Sequence, residues 1–422
     1  MTPAPLSDAI AAAVADPMVE AISDPIAAVT HPDPYPYYAA LAQARPFSYH
    51  PGLKLWVAAS AQAVAAVLDH PDARVRPPGQ PVPPALAGSA AGDLFGRLVR
   101  MNDGAAHAAL KTILLRQLGA LDLARAQASA QALAAALPGP ADVADMADLA
   151  HAGAHETNRW MFTLPVLTVA HLLGLPLSGG LPRDEHGHAH PRIAGLVGTF
   201  ATAMSPLATP AEVQAGIAAA QWLIAHVDAQ RATASPGGLL DVLARDARLA
   251  GIDAGTLVAN AVGLMIQACE ATAGLIGNTM LALGRGQADG ADIDALVAQV
   301  AHRDPPVQNT RRFMAADAVV CGQAVKSGEG VLVLLAAAAH DPGRQAAECD
   351  EAGKASRAWT FGAGRHGCPG DALARTLAAC TVRALLARGV RPAGIVRGVR
   401  YRPSVNARIP RFAPSAEQAE QA

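Results

Sequence analysis

Apolar residues recur along most of this chain at the three- and four-residue spacing of a helix face. Helical patterns of this kind cover 61–68, 105–118, 121–136, 149–173, 211–232 and 239–248. A longer apolar helix is predicted over about 254–283. Ahead of these, a Pro/Tyr-rich segment at 31–38 leads into a short helix. A hairpin is predicted around 47–57, where Pro51-Gly52 supplies the turn. Short β-rich segments come late, at 318–322, 331–335 and 398–409, with Gly328-Glu329-Gly330 as the turn between the first two. Pro-rich patches at 77–84 and 206–210 read as loops between elements rather than domain boundaries. No internal repeat divides the chain. The expectation is a mainly α fold, one domain over 1–422 with small β-sheets, in which 1–30 and 413–422 are peripheral tails.

Composition sharpens this picture. Hydrophobic residues make up 51% of the chain and aromatics 4%, so the core must pack largely through Ala, Leu and Val. Alanine is the best helix former, which again favours a helical protein. The formal net charge is −2 and no basic run forms, which argues against a nucleic-acid partner. Cys269, Cys321, Cys349, Cys368 and Cys380 show no paired spacing, and the N-terminus lacks the pattern of a secretory signal. A reducing, cytoplasmic setting is expected. No run reaches the ~18 apolar residues of a bilayer span, 330–339 being the best candidate, so no membrane is expected.

The densest chemical signal is the run Phe361 to Gly370, FGAGRHGCPG. Three glycines permit the tight backbone that folds around a sulfur. The Ala/Leu-rich run after Gly370 reads as a helix, whose N-terminal amides favour negative charge on Cys368. A glycine-rich strand-to-helix turn with a chance cysteine would explain the loop alone, but not the ordered Phe, Gly, Gly, His and Cys together.

At these positions the chain resembles the cytochrome P450 superfamily, whose ligand loop follows F-G-x-G-x-H-x-C-x-G. Phe361, Gly362, Gly364, His366, Cys368 and Gly370 meet every fixed position. The resemblance implies a helix-rich triangular fold and a b-type haem with Cys368 as the metal ligand. It further implies Phe361 beside the sulfur and His366 at a haem propionate. It extends over about 33–412 and is weaker toward the N-terminus.

The resemblance implies further positions. In DGAAHAALK, His107 and Lys111 stand four apart on one helix face, where the family usually has His and Arg at a propionate. Lysine keeps the charge and loses the bidentate fork. In PPVQNTRRF, position matching assigns Arg312 to the other propionate, and strand alternation turns Arg311 away. In the helix over 254–283, Glu270 takes the place of an acid that delivers protons during oxygen activation. Ala271 stands where a threonine is usual, and Thr272 comes one residue late, about 100° round a helix. A substrate hydroxyl or a water, a local bulge that brings Thr272 round, or chemistry that needs no such relay would each account for the change.

Departures cluster just before the ligand loop. Gln299 and His302 replace the family's Glu-x-x-Arg pair, and a neutral hydrogen bond between them would be weaker than a charged one. The segment 284–292 is shorter and richer in glycine than usual, and Asp350 and Glu351 stand where an Arg-Phe type pair is common. The resemblance implies a distal pocket lined by 76–95, 164–207 and 306–310, an apolar cavity with few polar anchors. Asn309 and Thr310 are its candidate polar contacts, or loop-capping groups. His186, His188 and His190 read as a solvated segment before they read as a metal site.

The reading is therefore a soluble haem-thiolate monooxygenase of bacterial type. It would act on a small or medium apolar molecule in specialised metabolism, with electrons from a separate ferredoxin and reductase. A peroxide-using or non-oxygenating haem enzyme, and a non-catalytic relative serving as a recruitment or ligand-binding module, stand as alternatives.

Overall fold

Ser, Asp or Thr stands at the start of many helices, and its side chain closes the first turn. The helices run α1 (Tyr35–Ala44), α2 (Ala61–Asp69), α3 (Ala90–Arg97), α4 (Gly104–Gly119) and α5 (Leu123–Ala136). There follow α6 (Met146–Leu172), α7 (Arg192–Ala203), α8 (Pro210–Ala232), α9 (Leu239–Leu249) and α10 (Ala254–Gln267). The last are α11 (Glu270–Gly284), α12 (Ile293–Arg303), α13 (Leu335–Ala339), α14 (Asp371–Ala387) and α15 (Pro392–Ile395). Ser60, Asp122 and Asp253 accept from first-turn amides of α2, α5 and α10, and Thr209 with Glu212 forms a capping box on α8. This computed structural model describes residues 22–137, 146–177, 192–234, 236–287, 292–343 and 358–413.

The chain packs as two compact units, each gathered from separated segments. One takes Met1–Pro78, Ala301–Gly367 and Tyr401–Arg408; the other takes Gly79–Val300, Cys368–Arg400 and Ile409–Ala422.

The first unit is built on a five-stranded sheet. Its strands are β1 (Phe47–His50), β2 (Leu55–Ala58), β3 (Ala73–Arg74), β4 (Thr310–Met314) and, after the short pair β5 (Ala318–Val320) and β6 (Gln323–Val325), β7 (Gly330–Val333). The sheet order is β1-β2-β7-β4-β3, with only the β2–β7 pair parallel. Strand β7 is buried along its whole length, as a continuous apolar run requires when both sheet faces are covered. One face packs Val331 and Val333 with Val64, Val67 and Leu68 of α2. The other packs Leu332 with Tyr37, Tyr38 and Leu41 of α1.

The second unit is helical. Helices α10 and α11 run through its core, packed on α6, α7 and α14. Gly277 lets the chain at Pro410 approach α11 closely, since a Cβ there would lie 2.5 Å from the proline ring. The stretch Ala254–Gly284 is long and apolar enough to cross a membrane by length and composition, although no such run was expected; 83% of its most apolar window is buried inside the protein.

Several local expectations change. The segment 76–95, expected as loop, contains most of α3, because Ser89 caps Gly92 and a run of small residues succeeds it. The single helix over 254–283 breaks at Ala268 and Cys269, where Cys269 takes ψ −82°. The turn at Gly328–Gly330 joins β6 to β7, with β6 lying between the two expected strands. Among the described residues, the β-rich expectation at 398–409 reduces to the short strands β8 (Arg400–Tyr401) and β9 (Pro410–Arg411).

Candidate functional site

The run FGAGRHG folds as two successive 3-10 turns, Trp359–Phe361 and Gly364–His366. Gly362 closes the first by donating to the Trp359 carbonyl at 2.8 Å, and Gly367 closes the second on Gly364 at 3.1 Å. Gly362 and Gly364 sit at φ +64° and +59°, in the left-handed region that a side chain resists. At Gly364 a Cβ would also lie 2.5 Å from the Asp69 carboxylate. Arg365 pins the second turn by donating to the carbonyls of His70 at 2.9 Å and Ala73 at 2.6 Å. Thr360 accepts from the Val307 amide at 3.0 Å, which ties the first turn to the segment entering β4.

Of the sequence-assigned residues, Phe361, His366 and Arg312 belong to this first unit. Phe361 and His366 are half-buried. Arg312 is 5% exposed on β4, and its Nη1 donates to the Arg311 carbonyl at 2.8 Å and Thr310 Oγ1 at 3.2 Å, whereas Arg311 is exposed. Strand alternation thus turns one of the two arginines inward. Asn309 is buried and donates to the Val405 carbonyl at 2.9 Å, so it braces a loop.

Cys368, Gly370, His107, Lys111, Glu270, Ala271 and Thr272 belong to the second unit. Cys368 is half-buried three residues ahead of α14, whose first turn closes with Ala374 donating to the Gly370 carbonyl at 2.8 Å. Cys368 thus lies within three residues of the positive end of a seventeen-residue helix, which favours negative charge on a sulfur. His107 is 4% exposed on α4, with half-buried Lys111 one turn further along.

Glu270 and Ala271 are half-buried and Thr272 is 2% exposed, all in the first turn of α11. Threonines inside the helices elsewhere, such as Thr168, Thr279 and Thr381, donate to the carbonyl four residues back at 2.7–2.8 Å. Thr272 differs. Four residues back lies Ala268, inside the break, and its hydroxyl makes no hydrogen bond among the described residues.

Gln299 is exposed, and its side chain makes no hydrogen bond among the described residues, so it braces nothing. The sequence-assigned His186, His188, His190, Asp350 and Glu351 lie outside the described residues. Among the described residues no group of His, Cys, Asp and Glu is arranged to hold a metal ion.

Sequence reasoning passed over Arg100. It lies in the 3-10 turn Val99–Met101, and its Nη2 approaches the Met204 sulfur at 3.9 Å. Its Nε is sealed from solvent without a hydrogen-bond partner. Burial holds this guanidinium below its ordinary pKa, and nearby Glu270 opposes that shift. The turn itself is anchored by Asn260 of α10, whose side chain accepts from Val99 N at 2.8 Å and donates to the Arg97 carbonyl at 2.8 Å. The one signal in sequence was an arginine set between Leu98-Val99 and Met101 just before DGAAHAALK.

No family model matches the chain. Over 141 residues it is 32% identical to cytochrome P450 133B1 of Xylella fastidiosa, covering 31% of this chain and 35% of that relative. Over 240 residues it is 29% identical to cytochrome P450 140 of Mycobacterium tuberculosis, covering 51% of each. The alignments thus span between about a third and a half of these curated relatives. Among solved structures, P450BioI in complex with a hexadec-9Z-enoic acid ligated acyl carrier protein matches with a TM-score of 0.68 at 20% identity. That match covers 90% of this chain and 97% of the other.

Proposed function

Since this chain belongs to the cytochrome P450 superfamily, we propose that it is a haem-thiolate monooxygenase acting on a small or medium-sized molecule. Dioxygen is the oxidant, and a separate ferredoxin and its reductase supply electrons. The observation that carries this reading is the Cys368 loop, with two left-handed glycines holding its turns and a helix N-terminus behind the thiol.

The residues present fit a b-type haem. Cys368 would supply the thiolate ligand, with His107 and Lys111 in its own unit as donors suited to a carboxylate; taken by itself, the other unit offers Arg312 and His366 as donors of the same kind. Bound there, a thiolate-ligated haem supplies the oxygen activation that no protein side chain can perform. Phe361 would shield the ligating sulfur from water. Lys111 acts as a point charge, without the planar fork of an arginine.

Proton delivery falls to Glu270 and Thr272. Ala271 has no donor, and the break at Cys269 changes the register of the residues after it. The Thr272 hydroxyl is not spent on its own helix, so it can hold a water or pass a proton from Glu270. This favours the bulge explanation over chemistry that dispenses with the relay.

The test is the absorption spectrum of the purified protein, ferric and then reduced under carbon monoxide. A thiolate-type Soret band that disappears in Cys368→Ser supports the reading. No such band in the wild type, with haem supplied during expression, would sink it.

A further inference from the structure

We propose that Arg100 is the anchor for a carboxylate on the substrate, so that the molecule bound here is an organic acid with an apolar body. The inference deepens the monooxygenase reading and rests on it for the fate of the bound acid, but not for the binding itself.

A buried guanidinium ordinarily carries several hydrogen bonds to carboxylates or carbonyls, because its five donors and full charge are costly to strip of water. Arg408 shows the ordinary case in this protein, with one carboxylate, three carbonyls and a tyrosine hydroxyl around it. Arg100 shows the opposite. Among the described residues its one hydrogen-bond contact is the thioether of Met204, a weak acceptor that cannot balance a charge. Its Nε is sealed and unpartnered. Glu270 lies near enough to act on it electrostatically, yet the two form no ion pair within 4 Å among the described residues. Arg100 is half-buried, its Nε is sealed without a hydrogen-bond partner and its Nη2 meets only a thioether, so the guanidinium has donors to spare for one more partner.

The surroundings define that partner. Leu98 and Val99, both buried, precede Arg100 in the chain, and Met204, after α7, meets its guanidinium. Glu270, Ala271 and Thr272 open α11 nearby, the turn assigned to proton delivery. Met204, which meets the guanidinium, and Met101, Leu264 and Ala268 are partly buried apolar residues packed on the same helical core, and such side chains suit a hydrocarbon body. A planar guanidinium matches a carboxylate through two parallel bonds. One cation neutralises one negative charge, and Glu270 close by disfavours a dianion such as a phosphate monoester. The class is therefore a monocarboxylate, held by its head while its body extends toward the first turn of α11.

The experiment is calorimetric titration of the haem-loaded protein with matched pairs: phenylacetate, 4-phenylbutyrate and decanoate, each beside its primary amide, and phenyl phosphate as a dianion. At least one acid is expected to bind at least tenfold more tightly than its amide. Arg100→Gln removes that preference and leaves amide binding unchanged, while Arg100→Lys retains part of it. Glu270→Gln strengthens acid binding severalfold by removing a like charge. If no acid outbinds its amide, if Arg100→Gln keeps the preference, or if phenyl phosphate binds best, the assignment is wrong. If Glu270→Gln leaves acid binding unchanged, Arg100 merely balances Glu270 and the assignment also fails. A thermal unfolding curve for each variant separates lost binding from lost folding. Acid binding in a protein lacking a thiolate Soret band would sink the monooxygenase reading and leave this one standing.

Discussion

Arg408 donates from Nε to the Asp304 carboxylate at 2.8 Å, and the arginine is only 1% exposed. Its other donors reach the carbonyls of Val29, His31 and Pro32 and the Tyr401 hydroxyl, and its guanidinium lies 3.7 Å over the Tyr401 ring. The Tyr35 hydroxyl also donates to Asp304. One charged hub thus joins the N-terminal segment, the residue after α12 and the segment before β9. It braces the unit that holds the turns Trp359–Phe361 and Gly364–His366, whereas Gln299 belongs to the other unit.

Breaking that hub should be costly, because the arginine is 1% exposed with five polar partners spent on it, and its loss strands them together with the half-buried Asp304 charge. Arg408→Ala is expected to lower stability by about 3–5 kcal/mol. Asp304→Asn should cost less, about 1.5–3 kcal/mol, since the arginine keeps its carbonyl partners. Urea unfolding of both variants checks the order; an equal or reversed order contradicts the hub.

Gly364→Ala meets both a left-handed backbone and the Asp69 carboxylate. The conformational part alone is expected to cost about 1–2 kcal/mol. Gly362→Ala meets no clash, its nearest contact being 3.6 Å, but at φ +64° and ψ −177° its backbone lies where essentially only glycine goes, so its cost is conformational rather than steric. Haem retention after gel filtration, compared between the two variants, reads the difference.

Thr272→Val keeps the volume and removes the hydroxyl that the helix break leaves unspent. The expected outcome is a loss of at least about tenfold in product formed per electron pair consumed, with substrate binding little changed. Ala271→Thr should not restore it, because residue 271 is turned about 100° from 272. Peroxide production measured alongside product checks both.

Burial depresses the His340 pKa below the usual imidazole value, although its hydrogen bond to the Arg303 carbonyl at 2.9 Å works the other way. The unfolded chain binds this proton near pH 6.5, and the folded one only at lower pH. Stability is therefore full above about pH 6.5 and falls as pH drops toward the folded-state value. His226, depressed by burial and by Arg192, adds to the same slope. His340→Gln should flatten the fall between pH 6.5 and 5.5, as measured by urea midpoints across that range.

Helices were legible wherever periodicity and a cap agreed. The predicted 211–232 helix begins at Pro210 behind its Thr209 capping box, and 239–248 extends by one residue to Leu249. Both signals act over one or two turns of chain. Helix α3 was missed because eight small and mixed residues hold little periodic signal, and its Ser89 cap stood inside a stretch rich in proline. The strands after 318 were legible as β-rich, but not their pairing, because register depends on partners far away in sequence. The order β1-β2-β7-β4-β3 joins residues as far apart as Trp56 and Val331.

The sequence by itself determined the helical composition, the glycine-held loop around Cys368 and the inward face of Arg312, because each arises from local backbone preference or from alternation along a strand. Tertiary structure decided the rest. The break at Cys269 falls between two buried helices, and Thr272, one turn after it, makes no hydrogen bond from its hydroxyl among the described residues. Arg100 gains its meaning from Met204 and Glu270, 104 and 170 positions away, which only folding brings near it. A charge is ordinary on an exposed surface and demanding when buried, and burial is a property of the folded chain.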